Sequence, residues 1–225
     1  HARGSVLRQH LSNFEHARTD IGLRPDFVIL YHGPNDLRQV SSTPMQNPDA
    51  HNSNQKGPTE SLVHSLLSNQ EWALIRVFRR TLQPMQPLQP HWQSRSVTPH
   101  MINDLEGRVN QMLRTAQQRR IKPILATHAL RAQTGDKGQI ARKRVAESAQ
   151  HLQLMPEQVI SGFASYNNMM KNIAQKRNLP LADIRSVVKE DAQNWGDATH
   201  FRLNGSELAA KEFFTTISPL LSKKR

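Results

Sequence analysis

Cysteine is absent from this sequence, which excludes disulfide bonds and thiolate metal sites. Aromatic residues make up only 5% of the chain, whereas proteins that bind single-stranded nucleic acid stack successive bases on aromatic side chains. No run of about 18 apolar residues occurs, so no segment has the composition of a transmembrane helix. With 225 residues, 36% of them hydrophobic, the chain is long enough for one domain with a hydrophobic core.

Acidic residues are scarce relative to basic ones, 18 against 30, which gives a formal net charge of +12 and a pI of about 10.7. Charge of this sign attracts phosphates, acidic glycans and anionic lipid surfaces. The basic residues fall in short, scattered clusters, for example at 76–80, 142–144 and 223–225. Such clusters equally fit a solvated basic surface. We therefore expect no nucleic-acid partner, while contact with an anionic surface stays open.

Short apolar runs alternate with helical patterns along the chain. The runs cover residues 26–31, 123–126 and 178–184, and each has the length of a buried strand. Apolar residues recur at helical spacing before and after the second run and after the third. Strands that alternate with helices and are apolar throughout are typical of parallel sheets. The sequence therefore predicts an α/β fold with a parallel sheet.

Three helices are predicted, two of them with recognisable signals at their starts. Thr98-Pro99 combines a capping hydroxyl with a proline at the first helical position. A second helix is predicted from about residue 156 to residue 177. Asn204 and Glu207 have the spacing of a capping box before the last helix.

Polar residues follow each of the three predicted strands. Residues 33–36, Gly-Pro-Asn-Asp, come after the first strand, Thr127 and His128 after the second, and a loop with Asp197 and His200 after the third. Ligands of parallel α/β sheets bind at the carboxyl ends of the strands. We therefore expect the three loops to converge on one edge of the sheet.

Asp197 and His200 are candidates for acid–base chemistry. Their spacing on a loop lets the carboxylate accept the imidazole Nδ1–H, which leaves Nε2 to act as a general base. A surface turn that caps the final helix fits the same residues. The pair alone therefore leaves a catalytic and a structural interpretation open.

Asn35 and Gly4 are candidates for binding an anion. A Gly-Pro turn after a buried strand presents the Asn35 amide at the edge of the sheet, where its N–H suits an oxyanion, although asparagine is also a common turn former. Gly4 opens a helical pattern and can offer its backbone N–H to an anion. His128, at the end of the second strand, could line a pocket, but we expect a structural or solvent-facing role for it. The histidines form no compact metal pattern, so we expect no metal.

The order of these residues resembles the SGNH (GDSL-like) hydrolase family. Gly4, the Gly-x-Asn-Asp stretch at 33–36 and the Asp-x-x-His stretch at 197–200 are similar to three of its sequence blocks. The likeness covers most of the chain, in "RPDFVILYHGPND", "RVNQMLRTAQQRRIKPILATHAL", "YNNMMKNIAQKRNLPLADI" and "GDATHFRLNGSELAAKEF". It leaves residues of about 40–100 and 131–155 as variable insertions in a single domain that spans 1–225.

The resemblance implies a fold and roles for four residues. The fold would be a flavodoxin-like three-layer α/β/α arrangement. Asn35 and Gly4 would be oxyanion-hole donors, His200 the general base and Asp197 its orienting carboxylate. No cofactor or metal is required by such a mechanism.

The nucleophile that the family uses is missing. Its serine stands in a Gly-Asp-Ser block after the first strand, and no such block occurs in the 225 residues. Ser5 lies where the second block is expected and is a poor candidate. We therefore expect this chain to be a fragment, inactive alone, whose serine and central first strand lie before His1. Without that strand, residues 26–31 would expose an apolar edge and the chain would be marginally stable or aggregate.

The sequence therefore predicts an ester hydrolase that acts by serine acyl transfer on a small-molecule, carbohydrate or lipid ester. Two alternatives remain open: a non-catalytic SGNH-like domain that binds a glycan or acyl group, and, more remotely, a basic nucleic-acid-binding protein. The second requires a binding constant that falls steeply with salt. Relatives in this family are often exported in bacteria, so export is a further expectation from the resemblance.

Overall fold

A parallel sheet of three strands organises the part of the chain that the computed structural model describes, residues 25–31, residue 37 and residues 95–222. Strand β1 is Phe27–Leu30, β2 is Lys122–Ala126 and β3 is Leu181–Ala182, in the spatial order β1-β2-β3. Both pairings are parallel. All described residues belong to one compact unit.

Three helices cover one face of this sheet: α1 is Pro99–Gln118, α2 is Gly138–Leu152 and α3 is Pro156–Arg177. The first begins as its sequence predicts, because the Thr98 hydroxyl accepts a hydrogen bond from the Met101 N–H and Pro99 follows it. The third ends where Asn178 adopts a left-handed conformation, with φ of 50°. Both predicted boundaries are confirmed.

The other face is covered by a short helix, α4, Ile184–Val187, and the last helix, α5, Leu203–Ser222; a 3₁₀ turn, Ala192–Asn194, lies between them. Successive strand residues point to opposite faces. Leu125 of β2 accordingly packs into the cluster with α1, α2 and α3, and Ala126 into the cluster with α4 and α5. The predicted α/β class, with a parallel sheet between two helical layers, is confirmed.

The third strand is shorter than its apolar run. The run 178–184 predicts an extended segment throughout, but β3 comprises Leu181 and Ala182 alone. The chain turns directly afterwards into α4. The Asp183 carbonyl accepts hydrogen bonds from the N–H and the hydroxyl of Ser186, which stabilise this turn. Local hydrogen bonding therefore ends the strand before its hydrophobic pattern does.

Two further details differ from the sequence-based expectation. The polar, basic segment 131–155 contains α2, whose buried face is built mainly from small residues, Ala141, Val145 and Ala149, with Leu152. Asn204 is not a helix cap, since α5 begins at Leu203 and the Arg202 carbonyl accepts the Ser206 N–H. Whether 40–100 and 131–155 are insertions within a single domain stays a prediction. None of the described helices combines the length and apolarity needed to cross a membrane.

Candidate active site

A tight loop carries Asp197 and His200 between the 3₁₀ turn and α5. Trp195 and Phe201 form an antiparallel bridge at its base, and their rings pack edge to face with centroids 4.9 Å apart. The Gly196 N–H donates to the His200 carbonyl over 2.8 Å. Trp195 is buried, and its indole N–H donates to the Lys189 carbonyl over 2.7 Å. The loop is therefore held at its base by an aromatic pair and by backbone hydrogen bonds.

The Asp197 carboxylate is bound by hydrogen-bond donors of Thr199 and His200 within this loop. Its Oδ1 accepts the backbone N–H of Thr199 over 2.8 Å and that of His200 over 2.9 Å. Its Oδ2 lies 2.7 Å from Nδ1 of His200. The pairing that the i, i+3 spacing allows is therefore formed. Because Nδ1 is engaged, Nε2 is the ring nitrogen left to exchange a proton.

The two side chains differ in exposure and so in environment. The Asp197 side chain is 14% exposed and the His200 side chain 76%. Partial desolvation of Asp197 opposes its ionisation, but the N–H groups of Thr199 and His200 and the His200 imidazole outweigh it, so the pKa of Asp197 lies below its ordinary value. The carboxylate therefore stays ionised and orients a ring that solvent and ligands can reach.

The loop after β2 reaches this turn, as the convergence at one edge requires. The Arg131 N–H donates to the carbonyl of Ala198 over 3.0 Å, and Ala198 lies between Asp197 and the residues that bind its carboxylate. Thr127, directly after β2, is buried. The Asp197–His200 pair therefore lies beside the segment that leaves the carboxyl end of β2.

A polar network at the ends of β2 and β3 was not foreseen from the sequence. The Thr127 hydroxyl donates to Oδ1 of Asp183 over 2.7 Å, and Nζ of Lys171 lies 2.7 Å from Oδ2. The Asp183 N–H donates to Glu212 of α5 over 3.0 Å. Partial burial of Asp183 opposes its ionisation, but Lys171 and Thr127 outweigh it and hold the pKa of Asp183 below its ordinary value. The sequence signal for this network was a carboxylate, Asp183, near the end of the third apolar run.

His128 has a structural environment. Its ring is buried and stacks between Tyr31 and Phe163, with centroid distances of 5.2 Å and 4.9 Å. Asn167 of α3 binds its backbone twice: the His128 N–H donates to Oδ1 over 2.8 Å, and Nδ2 donates to the His128 carbonyl over 2.9 Å. The buried ring agrees with the structural role and disagrees with a solvent-facing one.

The other two candidate residues, Asn35 and Gly4, lie outside the described residues, as does the whole Gly-Pro-Asn-Asp stretch at 33–36. Their predicted place beside Asp197 and His200 stays a prediction. Tyr31 is the last described residue before that stretch, and it contacts His128 at the end of β2.

Within the described part of the chain, no group of three or more histidine, aspartate or glutamate side chains is arranged to hold a metal ion. A cleft of about 750 Å³ opens at the amino ends of β2 and β3, lined in part by Lys122, Pro123, Leu179 and Pro180. This cleft lies at the edge opposite the carboxyl ends, so it does not form part of the candidate active site.

Comparisons with known proteins give weak likenesses. No protein-family model and no curated protein matches the sequence. An α/β hydrolase enzyme, LAE5, from the metagenome of Lake Arreo, Spain, is 15% identical over 94% of this chain and 67% of its own, with a TM-score of 0.47. A GDSL-like lipase from Bacteroides thetaiotaomicron is 18% identical over 55% of this chain and 54% of its own, with a TM-score of 0.35.

Proposed function

We propose that this chain carries the acid–base half of an ester hydrolase that acts by serine acyl transfer. The observation that supports the proposal is the 2.7 Å contact between Oδ2 of Asp197 and Nδ1 of His200, on an ordered loop beside the segment that follows β2. A carboxylate held on one imidazole nitrogen fixes the tautomer and prepares the other nitrogen to accept a proton. His200 is the general base, and Asp197 is its orienting residue.

The mechanism uses this pair twice. Nε2 of His200 takes the proton of a serine hydroxyl as the serine oxygen attacks the ester carbonyl carbon. The imidazolium then donates that proton to the departing alcohol as the acyl-enzyme forms. In the second half, His200 takes a proton from water, which attacks the acyl carbon, and returns it to the serine oxygen. Asp197 remains ionised throughout, in keeping with its lowered pKa.

Two residues are proposed to bind the negative charge that develops on the carbonyl oxygen. The side-chain amide of Asn35 and the backbone N–H of Gly4 would donate to this oxyanion, together with the N–H of the serine itself. Each such donor contributes roughly 10²–10³-fold to the rate in acyl transfer. These roles rest on the sequence order of Gly4, Asn35, Asp197 and His200.

The serine itself is assigned to none of the 225 residues, because no Gly-Asp-Ser block occurs among them. The proposal places it in sequence that precedes His1. It follows that residues 1–225 alone should not turn over an ester, while a longer product of the same reading frame should. The substrate class is a small-molecule, carbohydrate or lipid ester.

The test expresses the longest open reading frame that contains residues 1–225. Hydrolysis of p-nitrophenyl acetate and covalent labelling by a fluorophosphonate are measured for the wild type, Asp197→Asn and His200→Gln. Removing the base or its orienting carboxylate should lower kcat by about 10²–10⁴-fold. A labelled serine upstream of His1 would identify the nucleophile.

The chain offers a matched control pair. His100 and Asp104 lie 3.6 Å apart on α1, and both side chains are exposed. His100→Gln and Asp104→Asn should therefore leave turnover unchanged. Wild-type turnover by His200→Gln would exclude the proposed base. Absence of both turnover and labelling in every length of the protein would leave a non-catalytic domain that binds a glycan or acyl group.

A further inference from the structure

A buried loop follows β2 and depends on outside partners for its backbone. Residues 127–132 lie in no helix or strand, and Ala129, Leu130 and Ala132 are all buried. Buried carbonyls outside regular secondary structure need hydrogen-bond donors from elsewhere in the fold. The group that supplies those donors therefore determines where the loop lies.

Asn167 supplies the donor for the His128 carbonyl, and Arg185, the second residue of α4, supplies those for Leu130 and Ala132. Its Nη1 donates to the Leu130 carbonyl over 3.4 Å and its Nη2 to the Ala132 carbonyl over 2.7 Å. Nη2 also pairs with the Glu190 carboxylate over 3.1 Å. The Arg185 backbone N–H donates to the Thr127 hydroxyl over 3.0 Å. The guanidinium can bind the two carbonyls and the carboxylate together because its donors are arranged in a rigid, planar fork.

The loop in turn holds the candidate active site. Arg131 lies between the two residues whose carbonyls Arg185 binds, and its N–H donates to the carbonyl of Ala198 over 3.0 Å. Ala198 directly follows Asp197, and the next two N–H groups bind the Asp197 carboxylate. Hydrogen bonds joined by short lengths of backbone therefore connect the guanidinium to the acid–base pair.

We propose that Arg185 is a positioning residue for the Asp197–His200 pair. By holding the carbonyls of Leu130 and Ala132, it aims the Arg131 N–H at Ala198 and so fixes the turn in which Asp197 orients His200. Arg185 contacts neither member of the pair through the bonds described, so its effect is transmitted through the loop. The consequence for catalysis rests on the proposed hydrolase function, whereas the positioning itself does not.

The first readout is spectroscopic and independent of activity. The N–H groups of Thr199 and His200 donate to the Asp197 carboxylate, and hydrogen bonds to an ionised acceptor are short and strong. In a ¹⁵N–¹H correlation spectrum of the full chain at neutral pH, their proton resonances should move upfield in Arg185→Met. Arg185→Lys keeps the charge but lacks the planar fork of donors. Its upfield shift relative to the wild type should therefore be smaller than that of Arg185→Met.

A control is available in Arg95, whose Nη1 donates to Oε1 of Gln153, directly after α2, over 2.6 Å. Arg95→Met should therefore leave the Thr199 and His200 resonances in place. Glu190→Gln, which keeps an acceptor for Arg185 but removes its charge, is the milder variant should Arg185→Met fail to fold; a smaller shift in the same direction is expected.

Folded Arg185→Met, or Glu190→Gln in its place, with wild-type resonances at Thr199 and His200 would overturn the proposal. An equal shift in Arg95→Met would overturn it as well, since the effect would then be general loosening of the fold. In the active, longer product, Arg185→Met should lower kcat by about 10²-fold with little change in KM, the signature of a displaced catalytic group. Inactivity of every product would reject the hydrolase proposal and leave the spectroscopic result standing.

Discussion

Oδ2 of Asp197 lies 2.7 Å from Nδ1 of His200, while Oδ1 of the same carboxylate accepts two backbone N–H groups of the loop. Backbone N–H groups thus hold the carboxylate in place in addition to its contact with the ring. The His100–Asp104 pair on α1 is a useful contrast, since there both side chains are exposed and the atoms are 3.6 Å apart. Exposed pairs of that kind contribute little order or energy. The Asp197 loop, in contrast, can hold an imidazole in one orientation.

Gly205 allows α5 to pack against the turn that precedes this loop. A Cβ at Gly205 would collide with the carbonyl oxygen of Asn194, which also accepts the Arg202 N–H. Gly205→Ala should therefore displace the base of the loop and destabilise the protein by about 1–3 kcal/mol, as overpacking does. Urea denaturation measures the loss.

The control for this variant is Gly107→Ala. Gly107 is exposed within α1, and an added Cβ there meets nothing within 4 Å. Alanine is the better helix former, so the free energy of unfolding should rise by about 0.5–1 kcal/mol. A destabilised Gly107→Ala or a neutral Gly205→Ala would contradict the packing described.

Asn167 should stabilise the segment that follows β2. Asn167→Ala leaves both the N–H and the carbonyl of His128 without their partner, and both lie in the interior. Each lost partner of a buried backbone group costs about 1–3 kcal/mol. Chemical denaturation should therefore show a loss of several kilocalories per mole, whereas Asn168→Ala, an exposed neighbour on the same helix, should be close to neutral.

Acid should weaken the network around Asp183. The pKa of Asp183 is lowered in the folded protein, so the stability that its ionisation contributes is present above the unfolded pKa of about 3.9 and is lost as the pH falls through the folded pKa. Asp183→Asn should cost about 1–3 kcal/mol at pH 7. The difference in unfolding free energy between wild type and variant should shrink as the pH is lowered from about 5. A difference that is constant with pH would contradict the ionised state.

High pH should destabilise the folded protein through ionisation of Tyr31. Partial desolvation, opposed by a backbone hydrogen bond from Ala129, raises the pKa of Tyr31 from 10.0 to about 12. The folded state therefore holds this proton more tightly than the unfolded state, and the stability it contributes, present below about pH 10, is lost as the pH rises through about 12. Between these pH values the wild type should therefore lose stability relative to Tyr31→Phe, which has no phenol to ionise, as thermal melts of the two proteins measure. Tyrosinate absorbance that develops fully below pH 10 would exclude the raised pKa.

Much of the described fold followed from local sequence. Thr98 with Pro99 set the start of α1, and the period of apolar residues from 156 to 177 set the length of α3. The short apolar runs gave the three parallel strands. The helix α2 was missed because three of its six buried residues are alanine, which carries a weak hydrophobic signal although it packs closely. The predicted cap at Asn204 was wrong because α5 begins one residue earlier, after Arg202, whose N–H donates to the Asn194 carbonyl.

The sequence by itself determined which chemistry Asp197 and His200 can perform, because the residue types and their separation are local properties. Only the tertiary structure decided that Asp197 is held by the backbone and that Arg185, far away in sequence from Arg131, controls the neighbouring loop. Such links join residues that no pattern of spacing relates. They arise because buried carbonyls must find donors wherever the packed fold provides them, and this requirement is satisfied only when the whole sheet and its helices are in place.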